Sequence, residues 1–198
     1  HFIAVGGNGA NARIITSADG ITWATAATAA AGDSFVGGVA YSSTLGLVVA
    51  VSTSSVFTSA DGITWADTGN TAVTQNWEDT VWCPSIAKFV SVSSSGAANR
   101  VQYSSDGLTW TAAGGATTTT RAWQCVTWSA DLSLLVACAT TSATDQVMTS
   151  TDGITWTLQT NNNDSTWQDV VWSPNHNLFV AVAAVPVAAA TRVMTSPD

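Results

Sequence analysis

The sequence predicts an all-β chain of repeated four-stranded antiparallel sheets, and two observations carry that prediction. Asp-Gly-Ile/Leu-Thr-Trp recurs at Asp19–Trp23, Asp61–Trp65, Asp106–Trp110 and Asp152–Trp156, at intervals of 42, 45 and 46 residues. Around each recurrence the same short apolar runs return in the same order, none of them long enough for a helix.

Four strand positions, A to D, are legible within a period. Position A is the run written GGVAYS, DTVWCP, CVTWSA and DVVWSP. Position B (Leu45 to Val51, Lys88 to Val92, Leu134 to Cys138, Leu178 to Val182) is apolar at consecutive residues. Such a run fits a strand covered on both faces. Position C ends in Ser (RIITS, VFTS, VQYSS, VMTS), and position D is expected over Gly-Ile-Thr-Trp-Thr.

A four-stranded antiparallel sheet repeating every 40 to 45 residues or so describes the blade of a β-propeller. The chain opens with B, C and D, His1 to Val5 being B, and closes with A, B and C, so one D and one A are absent from a whole number of blades. At about 44 residues each, five blades need roughly 220 residues, close to the chain plus those two strands. The expectation is a single five-bladed domain over 1–198 with incomplete terminal blades. Its repeat units are about 1–41, 42–82, 83–128, 129–172 and 173–198. A first residue His1 and a last Pro197-Asp198 inside a motif suggest a fragment of a longer chain.

Composition narrows the partners. The net charge is −8, with 13 Asp and Glu against 5 Lys and Arg, which repels phosphate backbones and argues against nucleic acid. No apolar run approaches the roughly 20 residues of a spanning helix, so membrane insertion is not expected. Only 9% of residues are charged while 46% are hydrophobic, which excludes disorder.

The recurrent motif has a physical logic. In Ser-x-Asp-Gly-x-Thr-Trp the Asp carboxylate can accept hydrogen bonds from the following backbone N–H groups, and Gly supplies the positive φ of a tight turn. A Trp repeated in one register is expected to bury its ring between neighbouring sheets. The structural residues of the motif are Asp19, Gly20, Trp23, Asp61, Gly62, Trp65, Asp106, Gly107, Trp110, Asp152, Gly153 and Trp156, with Ser17, Ser59, Ser104 and Ser150 in register before them.

These residues resemble the Asp-box, or BNR-repeat, propellers, a family that includes sialidases, glycan-processing propellers, and repeat proteins of bacterial surfaces and phage particles. The resemblance covers nearly the whole chain. This sequence carries shortened boxes, lacking the residue that the family places between Asp and Gly. In the family the box is a structural turn remote from any active site, so it implies architecture and not chemistry.

Function is therefore sought on the face carrying the D-to-A and B-to-C connections, where the sequence varies most between repeats. Strand A begins Trp77-Glu78-Asp79, Trp123-Gln124-Cys125 and Trp167-Gln168-Asp169, with Phe35 and Val36 at that place in the first full repeat. The resemblance makes this strand the innermost. The candidate ligand-binding residues are Trp77, Glu78, Asp79, Trp123, Gln124, Trp167, Gln168 and Asp169, whose rings could stack sugars while amides and carboxylates bind hydroxyls. Packing between blades is the competing role for the rings. A second set, Trp82, Trp128 and Trp172 with Tyr41, lies five residues on and should differ in burial.

Arg13, Arg100 and Arg192 each precede an Asp of the motif by six residues, a candidate anion cluster. Gln146 and Ser55 hold the same register, so duplication explains the spacing without a ligand. Tyr41 and Tyr103, the two tyrosines, sit at repeat positions and form no recognisable sialidase nucleophile. Glu78, Asp79 and Asp169 are the inward carboxylates available for glycoside hydrolysis. His1 is terminal and His176 a turn residue, and no His or Cys spacing suits a metal. A calcium role for Asn161, Asn162, Asn163 and Asp164 competes with a plain polar loop. Three cysteines, Cys83, Cys125 and Cys138, imply no disulfide framework, although Cys125 and Cys138 could be cross-strand neighbours.

The expected function is a non-catalytic binding or scaffold module of a large extracellular, cell-surface or virion protein. It would recognise glycan or protein through the variable loop face, with no cofactor and no metal. Pairing with another chain through unpaired blade edges is also expected. The alternatives are a glycan-cleaving, sialidase-like enzyme and a purely structural repeat segment of a filament or particle.

Overall fold

The computed structural model describes residues 1–6, 14–27, 37–53, 55–69, 75–96, 99–115, 121–141, 145–160, 165–186 and 192–197. Among them the chain forms five sheets. The first holds β1 (Phe2–Val5), β2 (Ile14–Ser17) and β3 (Ala24–Ala27), and the second β4 (Val39–Ser42), β5 (Leu47–Val51), β6 (Val56–Ser59) and β7 (Ala66–Asp67). The third holds β8 (Trp77–Cys83), β9 (Lys88–Ser93), β10 (Val101–Ser104) and β11 (Thr111–Ala112). In the fourth, β13 (Trp123–Ser129), β14 (Leu134–Ala139), β15 (Val147–Ser150) and β16 (Thr155–Gln159) are joined by β12 (Gly114–Gly115), which pairs in parallel with β16. The fifth holds β17 (Ser165–Ser173), β18 (Leu178–Pro186) and β19 (Val193–Ser196).

Strand order therefore runs B-C-D, then A-B-C-D three times, then A-B-C, as the repeat predicts. The one helical element among the described residues is a single 3₁₀ turn, Pro84–Ile86. At the A-to-B turns the residue before strand B is left-handed in all four cases, at Gly46, Ala87, Ser133 and Asn177. Three of these are not glycine, so the sequence did not mark this shared corner.

The repeated turn closes on itself. In the fourth copy, Ile154 and Thr155 each donate a backbone N–H to Asp152 Oδ1 at 2.7 Å, Gly153 N–H donates to Ser150 Oγ at 2.9 Å, and Ser150 Oγ donates to Asp152 Oδ1 at 3.0 Å. Gly153 has φ +72°, and the other three glycines of the motif are within a few degrees of it. This capping corrects the expected start of strand D. Where Asp61 takes the N–H groups of Ile63 and Thr64, those groups are lost to the sheet ladder, and the strand begins after Trp65. The first and third copies behave alike, while in the fourth the strand begins at Thr155.

Each sheet stacks on the next through strand B, whose alternate side chains reach opposite neighbours. Val49, Val51 and Val56 of the second sheet pack on Trp77, Phe89 and Trp110 of the third. Val90, Val92 and Val101 of the third pack on Leu135, Met148 and Trp156 of the fourth. Val136 and Cys138 meet Trp167, Phe179 and Ala181 of the fifth, and Ile14 of the first meets Ala50 and Phe57 of the second. The middle B strands are covered on both faces, β9 and β14 burying every residue after their first. Strands A run side by side, β4 against β8, β8 against β13 and β13 against β17. That radial order sets the start of each strand A beside the next.

Candidate functional site

Trp77 and Trp123 open β8 and β13, Trp167 is the third residue of β17, and all three are fully buried. Their ring faces lie in the packing between sheets, so the indoles act as anchors for the polar residues that follow. Trp82 is buried, Trp128 and Trp172 are partly exposed and Tyr41 is 57% exposed, so the second set is the less buried. Strict alternation does not hold, because a register shift follows the first tryptophan of each strand and Trp77 with Trp82, Trp123 with Trp128, and Trp167 with Trp172 pack in the same cluster. Phe35 and Val36 lie outside the described residues.

Directly after the anchors stands a polar row. Glu78 accepts hydrogen bonds from Ser94 Oγ at Oε1 and from Gln124 Nε2 at Oε2, the latter at 3.2 Å. Loss of hydration raises its pKa and the two hydrogen bonds partly offset that. Gln124 is partly exposed and Gln168, in the same register, is exposed.

Asp79 is bound differently. It accepts the backbone N–H of Thr80 at Oδ1 (2.8 Å) and of Val126, on the next sheet, at Oδ2 (2.9 Å). Burial pushes its pKa up to about 7, backbone hydrogen bonds to Val126 and Thr80 pull it down, and the charge of Asp169 adds a smaller push up. Asp169 accepts the Val170 N–H at 2.9 Å. Between these carboxylates Cys125 is buried and pairs across strands with Cys138, both as free thiols. Its pKa is raised, first by the Cys138 thiol and then by burial.

Where the third sheet carries Glu78-Asp79, the second carries Gly37-Gly38, and the reason is steric. A Cβ on Gly37 would lie 1.6 Å from the Glu78 carbonyl oxygen, and one on Gly38 2.2 Å from the Thr80 nitrogen. At this junction β4 lies backbone to backbone against β8.

The arginines separate. Arg13 lies outside the described residues, and Arg192 is exposed. Arg100 is buried, and its guanidinium donates to backbone carbonyls: Nε to Gly96 at 2.9 Å, Nη1 to Ser94 at 3.1 Å and to Arg121, and Nη2 to Gly96. Burial lowers its pKa. Gln146, in the same register, does the same work, donating to Thr141 O and Ser165 O and accepting from Ser165 N–H and Trp167 Nε1. Sequence reasoning missed this common role, in which the residue just before strand C ties its own B-to-C connection to the segment that enters the next strand A. Arg121, in the connection between the third and fourth sheets, adds an ion pair at 3.0 Å with Asp145 of the fourth sheet's B-to-C connection.

His176 sits in an exposed turn with Nδ1 2.8 Å from Ser173 Oγ. Asn161, Asn162, Asn163 and Asp164 lie outside the described residues. Among the described residues no group of three His, Cys, Asp or Glu could hold a metal ion, and no helix is long and apolar enough to cross a membrane.

No family model and no curated protein matches the sequence. Solved structures do match. YCF48 bound to D1 peptide aligns with a TM-score of 0.62 at 13% identity, over 97% of this chain and 62% of that one. A streptogramin B lyase aligns at 0.60 and 10% identity, over 85% and 56%. The β-propeller domain of Cps50 (Swd1) from Myceliophteria thermophila aligns at 0.59 and 10% identity, over 86% and 59%. The chain thus spans a little over half the length of each. With five antiparallel sheets stacked in chain order and these neighbours, the fold is that of a β-propeller.

Proposed function

We propose that the chain is an Asp-box propeller acting as a non-catalytic binding or scaffold module of a larger extracellular, cell-surface or virion protein. In this reading it engages a glycan or a protein through the face formed by the D-to-A and B-to-C connections. The observation that carries the reading is the row Glu78, Gln124 and Gln168, each directly after the buried tryptophan of its strand A, on a face whose connections are held by Arg100 and Gln146. A fixed rim of carboxylate and amide groups beside partly exposed backbone suits hydroxyl and peptide ligands. Propeller neighbours solved with a peptide, such as YCF48 with D1, are consistent with such a use of the fold.

Binding of the 198-residue chain to arrayed glycans and to a peptide library tests it. The expected result is a ligand whose affinity falls when Glu78→Gln and Gln124→Ala are combined. Ligands that bind equally well to that double variant would place the site elsewhere.

A second reading, glycan cleavage, draws on the raised pKa values of Glu78 and Asp79, since a protonated carboxyl near neutral pH can act as a general acid. Both oxygens of Asp79 accept backbone N–H groups, which favours a bridging role between sheets. Glycoside hydrolysis that disappears in Asp79→Asn while the variant stays folded would establish the second reading over the first.

A further inference from the structure

The sheets differ at one facing pair of residues on their inner strands. After the register shift that follows its tryptophan, strand A of the third sheet places Asp79 opposite Val92 of strand B, and that of the fifth places Asp169 opposite Val182. In the fourth sheet both members change together, and Cys125 faces Cys138. The two thiols are buried in the cluster between the fourth and fifth sheets. Asp79 and Asp169 each use Oδ1 to accept the N–H of the residue that follows, Thr80 or Val170. The N–H after Cys125 takes its acceptor from the neighbouring sheet, because Val126 donates to Asp79 Oδ2 at 2.9 Å. Cys125 is thus released from the capping role, and its Sγ lies 4.0 Å from the Cys138 carbonyl oxygen. Cys83 is equally buried, but it closes β8 opposite Lys88 with no thiol across from it.

We propose that Cys125 and Cys138 are a disulfide site, oxidised to a cross-strand bond while the β13–β14 hairpin forms and sealed when the fifth sheet packs over it. Directly opposed residues of antiparallel strands hold their Cα atoms about 4.5–5.5 Å apart, within the roughly 4.4–6.8 Å that a disulfide spans. The bond joins the first pair after the register shift, so it fixes the register that presents Gln124 to Glu78. Thiol–disulfide exchange with a small disulfide, such as oxidised glutathione, balances the chemistry. One cysteine thiolate attacks a glutathione sulfur and expels a glutathione thiolate, and the second cysteine thiolate attacks the mixed disulfide and expels the other. Two cysteine thiols lose two electrons and two protons, and one glutathione disulfide becomes two glutathione thiols. Exchange needs thiolate. In the folded chain the Cys138 thiol, burial and the carboxylates Asp79 and Asp169 all hold Cys125 in its protonated form, so exchange belongs to the open chain. Once the sheets have stacked, the same burial shields the bond from reductants. An oxidising compartment agrees with the extracellular or surface placement proposed above, and the bond is independent of what the loop face engages.

The test refolds the reduced, urea-unfolded 198-residue chain with and without a glutathione redox pair. Remaining thiols are blocked with N-ethylmaleimide under denaturing conditions, and the products are mapped by mass spectrometry. With the redox pair the expected result is one blocked cysteine, Cys83, and a peptide pair joined through Cys125 and Cys138. Oxidised glutathione added to the already folded, reduced chain should form the bond roughly tenfold or more slowly, because thiolate is scarce there. The bonded form should unfold thermally roughly 5 °C or more above the reduced form. Three blocked cysteines after oxidative refolding, or a bond that includes Cys83, would overturn the proposal. Equal rates before and after folding would remove the claim that stacking seals the site. A bonded form that melts below the reduced one would also count against it, since the native strands would then not hold the sulfurs within bonding reach. Cys83→Ser should bond as the unaltered chain does, and the peptide map of the unaltered chain stands even if that variant fails to fold.

Discussion

The middle sheets and the two end sheets carry the same residues in the same register and bury them to very different degrees. Val56 and Val101 open strand C of the second and third sheets and are fully buried, whereas Val193 in that place on the fifth is 52% exposed. Phe89 and Leu135 are fully buried on β9 and β14, while Phe2, their counterpart on β1, is 56% exposed. Trp156 is 2% exposed and Trp23 41%. Burial in this fold is conferred by the neighbouring sheet. A repeat cannot hide its own flanks, and among the described residues the core clusters of the first and last sheets each join them to one neighbouring sheet.

Trp156→Ala against Trp23→Ala tests that contrast at its largest. Truncating a buried tryptophan costs about 3–5 kcal/mol, whereas removal at an exposed site usually stays within about 0.5 kcal/mol. Urea unfolding of the two variants should therefore separate them widely. An equal loss for Trp23→Ala would mean that the first sheet has a covering neighbour in solution, and would break the comparison.

A second contrast lies between carboxylates. Asp79, wedged between two sheets, has its pKa raised from 3.8 to about 7, chiefly by burial. An unfolded chain releases that proton more readily, so the favourable contribution is fully present below about pH 3.8 and is lost as pH rises through about 7. Denaturation midpoints should fall between those values, and Asp79→Asn should flatten that part of the profile. A profile unchanged by the substitution would remove Asp79 as its source.

Smaller, and aimed at the same flanks, is Val101→Thr beside Val193→Thr. The exchange keeps shape and adds a hydroxyl, which costs about 1–3 kcal/mol when buried without a partner and little at a wet surface. A substantial loss at Val193 would indicate that the outer face of the fifth sheet is covered in solution.

How much of this was readable beforehand follows from range. The turn was legible because Ser150, Asp152 and Gly153 bond to one another within a few residues, and a local geometry leaves a local signature. Strand order was legible through repetition of that signature. The start of strand D was not, since propensity favours strand at Ile63 and Thr64 while Asp61 consumes their N–H groups. Arg100 and Gln146 look unrelated as residue types, and only the carbonyls that surround them reveal one task. The meeting of Glu78 with Ser94 and Gln124, and the contact that forbids a side chain at Gly37, depend on residues brought together by stacking. No spacing along the chain encodes those contacts.

The smallest expected effect separates the turns themselves. Asp19 and Asp61 have pKa values lowered from 3.8 to about 2, mainly by the backbone N–H groups of Thr22 and Ile21 or of Thr64 and Ile63, with little burial to oppose them. At Asp106 and Asp152 desolvation is the largest single influence and raises the pKa. Backbone and serine hydrogen bonds together outweigh it, leaving the value lowered. The turns of the third and fourth sheets, where desolvation is the largest single influence, should thus titrate less far below the ordinary range than those of the first two sheets. Asp19 and Asp61 contribute stability that is present above about pH 3.8 and fades as pH falls toward about 2, the reverse of Asp79, and Asp106 and Asp152 act in the same direction. Carboxyl carbon titration by NMR reads each site separately. An ordinary carboxylate value at Asp61 would mean that its hydrogen bonds to Ile63 and Thr64 are not held in solution, and the account of why strand D starts late would fall with it.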